Sequence, residues 1–175
     1  FCVDRHRDSF KDLIYNDVDI LFGNQDEFAA MVNSKNLDDG IKYAKSLKIL
    51  SIITLANKGS LVIKDDKVLD IKAKPVSKVV DSTGAGDFFA AGFLYGMTHQ
   101  KNIQESGRLA SIAAAEIISH FGARPQLKLS SLKKSFVLIW NLNTFKHSYC
   151  SWSKWNAITC CSDNIVEINI NQLEI

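Results

Sequence analysis

No apolar run in this sequence approaches the ~18 to 20 residues that crossing a bilayer requires, so no membrane-spanning helix is expected. Neither sign of charge dominates. Lys and Arg number 21 against 19 Asp and Glu, a formal charge of +2, which offers no electrostatic footprint for nucleic acid or a membrane surface. The four cysteines (Cys2, Cys150, Cys160 and Cys161) form no C-x-x-C pair and share no zinc-type spacing with histidine. They read as incidental thiols in a reduced, cytoplasmic setting. The histidines His6, His99, His120 and His147 are scattered, and there is no Ser/His/Asp elbow, which argues against an acyl-transfer or metal enzyme. No repeat, low-complexity tract or basic-then-apolar leader is visible, and FCVDRHR reads as a chain entered midway.

What is present is an alternation of helical and strand patterns over residues 1–135, in a chain whose 46% hydrophobic content suits a real core. Phe1 to Val3 reads as the end of a strand. DRHRDSFKDLIY (4–15) reads as a helix with Phe10, Leu13 and Ile14 on one face. DVDILF (17–22) reads as a buried strand, and Asn24 as the cap of a helix carrying Phe28, Met31 and Val32. A helix over 38–47, a β-branched strand over 49–55 and a hairpin over 60–73 turning at Asp65-Asp66 follow. VSKVVD (76–81) reads as a strand, and helices are expected from Ala85 to about His99 and from about Ile103 to His120. Such alternation favours a mostly parallel sheet covered on both faces.

The pattern changes after Lys134. From Ser135 onward there is no glycine or proline, yet all three tryptophans and three of the four cysteines fall there. Residues 136–175 therefore read as an atypical tail outside the fold, a read-through or out-of-frame extension. A small appended module or interface segment is the alternative.

The stretch DSTGAGDFF (81–89) carries the chemistry. A strand is expected to end at Asp81, with the chain turning through Gly84, Ala85 and Gly86 and entering a helix. The first amides of a helix have no internal acceptor and sit at the positive end of its dipole. Glycines leave room for a phosphate oxygen to reach them, which makes an anion hole. Asp87 in the first turn can accept a proton from a hydroxyl beside that hole, the arrangement that phosphoryl transfer needs. Taken alone, the glycines merely turn and Asp87 merely complements the dipole; the whole string between strand and amphipathic helix favours the catalytic reading.

The string D-S-T-G-A-G-D-F-F-A-A-G-F resembles the C-terminal signature of the PfkB, or ribokinase-like, carbohydrate kinases, D-[ST]-x-G-A-G-D-x-F-x-x-G-F. The resemblance implies Asp87 as catalytic base, Gly84, Ala85 and Gly86 as anion hole, and ATP as phosphoryl donor. It puts Asp81 and Thr83 where many members hold a monovalent cation such as K⁺. Asn24-Gln25-Asp26-Glu27 is similar to the family's N-x-x-E motif, which implies that Asn24 and Glu27 organise Mg²⁺ through water; alone, it reads as helix capping. TLANKG (54–59) resembles the T-x-G-x-x-G nucleotide loop, with Thr54 and Gly59 matching and Ala56 in place of a glycine. FCVDRHR, DVDILFGNQDEF and FGARPQ (121–126) look most like the adenosine-kinase-like branch. They imply that Phe121, Gly122 and Ala123 lie near the nucleotide and cation sites, whereas Arg124 reads as a surface arginine beyond a helix end, with phosphate contact the alternative.

The implied fold is the C-terminal part of a ribokinase-like three-layer αβα fold with a mostly parallel sheet, plus the tail. The implied function is ATP-dependent phosphorylation of a sugar or nucleoside hydroxyl, with adenosine or ribose as the type of substrate and no nucleic-acid or membrane partner. The resemblance covers the C-terminal half of a family member. The half that binds the sugar, with its G-G-N-type motif and lid, is not found in this sequence, so little or no activity is expected of the chain alone. A nucleotide-binding fragment or interaction module is the second reading, and oligomeric state is left open.

Overall fold

The computed structural model describes residues 2–127, 156–161 and 164–169. Helix α1 (Cys2–Asp17) comes first, then strand β1 (Ile20–Asn24) and the short helix α2 (Gln25–Met31). Helix α3 (Leu37–Ser46) leads to β2 (Leu50–Thr54), and a hairpin of β3 (Ser60–Lys64) and β4 (Lys67–Ile71) follows. Helices α4 (Ala85–Thr98) and α5 (Ile103–Ile117) come next, and β5 (Asn156–Cys161) and β6 (Asn164–Asn169) end the described chain.

The strands form one sheet in the order β4-β3-β2-β1-β5-β6. Its middle is parallel, with Ile20 opposite Leu50 and Ala157, and both margins are antiparallel hairpins. The β3–β4 hairpin turns between Lys64 and Lys67, at the Asp65-Asp66 pair read from the sequence. The two strands β5 and β6 belong to the segment 136–175; the other readings made of that segment lie outside the described residues.

Two cores lie on opposite faces of the sheet, because successive strand side chains point to opposite sides. Leu21, Ile53 and Ile63 face one way and pack with Phe10, Ile14, Phe28, Met31 and Leu47 from the first three helices. Ile20, Phe22, Ile52 and Val62 face the other way and pack with Phe89, Phe93 and Leu94 of α4 and Ala110 of α5. Helices therefore cover both faces, the three-layer arrangement that the alternation implies.

Two segments differ from the sequence reading. Cys2 and Val3 belong to α1 rather than to a strand, with a break in helical geometry at His6. Val3 is buried in the same core as Phe10 and Ile14, seven and eleven positions on, which is a helical spacing. Residues 76–81 join no ladder. Val80 N donates instead to Ile118 O at the end of α5 (2.8 Å), so a helix end takes the backbone bond that a neighbouring strand would have taken.

Candidate functional site

Of the four α-helices described after α1, three begin on an asparagine and one does not. Asn24, Asn36 and Asn102 each turn their side-chain oxygen onto the first amides of α2, α3 and α5. Helix α4 begins on Gly84 with no side-chain cap. Gly84 lies at φ 79°, ψ 1°, a left-handed conformation that favours glycine, and a Cβ there would come within 2.8 Å of Ala123 Cβ. Beside it, nothing lies within 4 Å of where a Gly86 Cβ would stand, so the approach to these backbone amides is open. An uncapped helix start with bare backbone leaves first-turn amides without a side-chain acceptor, at the positive end of the helix dipole.

Asp81 fixes the entry to this turn. Its Oδ1 accepts from Thr83 N (2.9 Å) and its Oδ2 from Gly122 N (3.0 Å). The Thr83 amide and then the Gly122 amide hold the Asp81 carboxyl below the usual carboxylate range, with a smaller contribution from His120. Asp87 stands exposed in the first turn of α4. Phe89 and Phe93, both buried, root that helix in the core.

The turn opens into a cavity of about 810 Å³, within the usual range for small-molecule sites. Ser82, Ala85 and Gly86 form one part of its wall, and Asn24, Gln25 and Asp26 at the start of α2 form another. Thr54 and Gly59 line it from the loop after β2, and the remaining wall is largely apolar: Val76, Val79, Ala114 and Ile118. Thr54 and Gly59, the start of the N-x-x-E motif and the glycine-lined turn, read separately from the sequence, thus meet at one cavity. Gly59, at φ 106°, is required there, since a Cβ would collide with the carbonyl of Ile71.

Glu27 and Asn24 form a reciprocal capping box. Asn24 Oδ1 accepts from the Asp26 and Glu27 amides (2.9 Å each), while Glu27 Oε2 accepts from Asn24 N (2.6 Å). Burial raises the Glu27 carboxyl above its ordinary value, and the Asn24 amide opposes that shift. Among the described residues no three His, Cys, Asp or Glu side chains gather as a metal cage.

Gly122 and Ala123 sit behind the turn, against Asp81 and Gly84, rather than in the cavity wall. Phe121 is 81% exposed, and Arg124 is exposed as well. The sequence reading did not single out Val76, Val79, Ser111 or Ala114 as cavity residues. Ser111, Ala114, Ala115 and Ile118 recur at i, i+3, i+4 and i+7, so the face itself was readable. What it faces was not. Ser111 holds that wall together: its Oγ accepts from Lys74 N (2.6 Å) and donates to Lys72 O (3.3 Å).

Comparison with known proteins bears on the same residues. The profile of the pfkB family carbohydrate kinases matches residues 3–129. An uncharacterized sugar kinase of Archaeoglobus fulgidus is 48% identical over 79 residues, which are 45% of this chain and 31% of that protein. The crystal structure of adenosine kinase from Sinorhizobium meliloti superposes with a TM-score of 0.75 at 34% identity, over 78% of this chain and 42% of that one. Arabidopsis thaliana ribokinase, solved with ribose and ATP, superposes with a TM-score of 0.62 at 27% identity, over 70% of this chain and 41% of its own. The chain spans about a third of the length of the curated relatives it matches.

Proposed function

The chain belongs to the pfkB family of carbohydrate kinases, and from that premise we propose that it carries the phosphoryl-transfer corner of an ATP-dependent sugar or nucleoside kinase. One observation carries this reading: the uncapped, glycine-lined start of α4 opens into the same cavity as Thr54, Gly59 and the start of α2. The apolar wall of Val76, Val79, Ala114 and Ile118 suits a flat aromatic base, and the open amide end suits the phosphates. Support for ATP as donor comes from the ribokinase solved with ribose and ATP.

In the proposed step Asp87 accepts the proton of the substrate hydroxyl. The oxygen so freed bonds to the γ-phosphorus, the bond from that phosphorus to the bridging oxygen breaks, and ADP leaves. The backbone around Gly84, Ala85 and Gly86 holds the charge that develops on the transferring group. Asn24 and Glu27 fit the steering of a hydrated Mg²⁺. The capping box spends Asn24 Oδ1 and one Glu27 oxygen, which leaves a second carboxylate oxygen, and this metal keeps most of its waters. When bound, Mg²⁺ would neutralise phosphate charge. Asp81 is already held ionised by amide donors, and with Thr83 it remains the proposed monovalent-cation position.

The substrate class is a sugar or nucleoside of the ribose or adenosine type, which the adenosine kinase and ribokinase likenesses support. Turnover by the chain on its own is expected to be slight. The test is amide exchange with and without MgATP, paired with a phosphorylation assay on ribose and adenosine. Protection of the amides around Gly84–Gly86 by ATP beyond that given by ADP is the expected result. Failure of ATP to protect them would remove the proposal, and protection with no turnover even when a substrate-binding half is supplied would favour the second reading, a nucleotide-binding module.

A further inference from the structure

In the last turn of α5 there is a buried carboxylate that the phosphoryl chemistry does not use. Glu116 is 8% exposed, on a helix face otherwise made of small and apolar residues. Its Oε1 accepts from Gln126 N (2.8 Å), Leu127 N (3.1 Å) and His120 Nε2 (3.2 Å). Its Oε2 is buried with no hydrogen-bond partner among the described residues. A carboxylate in such a place is costly unless its bonds compensate, so an alanine would serve the helix better if packing were the only demand. What Glu116 adds is a grip on the backbone ten and eleven residues further along.

That backbone ends against the anion-binding turn. Between His120 and Gln126 the chain carries Gly122, whose amide donates to Asp81 Oδ2 (3.0 Å), and Ala123, which packs on Gly84. The loop is therefore held on one side by a single carboxylate oxygen and touches the turn at two points on the other.

We infer that Glu116 is a positioning residue of the anion-binding turn, clamping residues 120–127 so that Gly122 and Ala123 brace Asp81 and Gly84 from behind. Its consequence for nucleotide binding rests on the function proposed above; the clamp itself does not.

The experiment is residue-resolved amide exchange on the full chain, with MgATP affinity measured by calorimetry alongside. In Glu116→Ala the amides of Gln126, Leu127, Gly122 and Thr83 should exchange about tenfold faster, the scale of a lost bond to a charged acceptor. Glu116→Gln, which keeps an oxygen acceptor, should stay within about threefold of wild type. Asn102→Ala, which destabilises the start of the same helix, should leave those four amides unaccelerated and MgATP affinity unchanged, whereas Glu116→Ala weakens it. Unchanged exchange at Gly122 and Thr83 in a folded Glu116→Ala, or a Gln variant no better than the Ala one, would overturn the inference. If Glu116→Ala does not fold, His120→Ala decides: faster exchange at Gly122 supports the clamp and an unchanged rate removes it. A wild-type chain that binds no MgATP would end the functional proposal, and the exchange comparison would still decide the clamp.

Discussion

Asp81 and Asp87 are six positions apart, and the turn between them gives each a separate task. Asp81 is tied down by the Thr83 and Gly122 amides, and its pKa is lowered. A carboxyl lowered by folding stabilises the folded form above its unfolded value, near pH 4, and loses that contribution as pH falls through the lowered value. The Gly122 contact with Asp81 should therefore loosen in acid, as pH falls below about 4, read as faster Gly122 exchange after correction for intrinsic rates. Asp87 is a prediction of another kind. In the protein assayed with whatever completes its substrate site, Asp87→Asn should lower turnover ~10² to 10⁴-fold while MgATP binding survives, checked by kinetics and calorimetry. Of these residues the motif made Asp81, Gly84 and Asp87 legible. Glu116 was not, because a lone acid in an alanine-rich helix reads as solvated until its partners at 126 and 127 are known.

Helix starts show which local features can be read without tertiary information. Asn24 followed three residues later by Glu27, and Asn102 followed by Glu105, both form capping boxes in the structure. Of these, Asn24 was read from the sequence as a cap, since the signal lies within four residues. The two caps make a paired prediction. Asn24→Ala and Asn102→Ala should each cost about 1 kcal/mol in urea unfolding. Only Asn24→Ala should also weaken MgATP binding, because Asn24 borders the cavity and Asn102 does not. The segment 76–81 is the opposite case. Val76, Val79 and Val80 have the β-branched look of a strand, but Val76 and Val79 line the cavity and Val80 bonds to the end of α5. A residue's preference for extended backbone does not say which neighbour will receive its amide.

At the scale of the molecule the site is held by a core on one side of the sheet. Phe93 of α4 is fully buried and meets Phe22 of β1 edge-to-face, with ring centroids 5.7 Å apart. Phe93→Ala should cost about 3 to 5 kcal/mol in chemical unfolding and reduce MgATP affinity, since it unseats the helix whose first turn is the proposed anion site. Phe10→Ala, in the core on the opposite face, should destabilise comparably while leaving the affinity of the folded fraction unchanged. By itself the sequence determined the class of the fold, most of the helices and strands between residues 4 and 71, the two helices after the turn, the glycine-lined turn and the family, because periodicity, caps and the GAGD string are local and specific. Only the tertiary structure decided that three separate motifs share one cavity, that 76–81 is wall rather than strand, and that Glu116 reaches the backbone behind the turn. Those facts depend on contacts between residues ten to several dozen positions apart, which packing selects and no local pattern encodes.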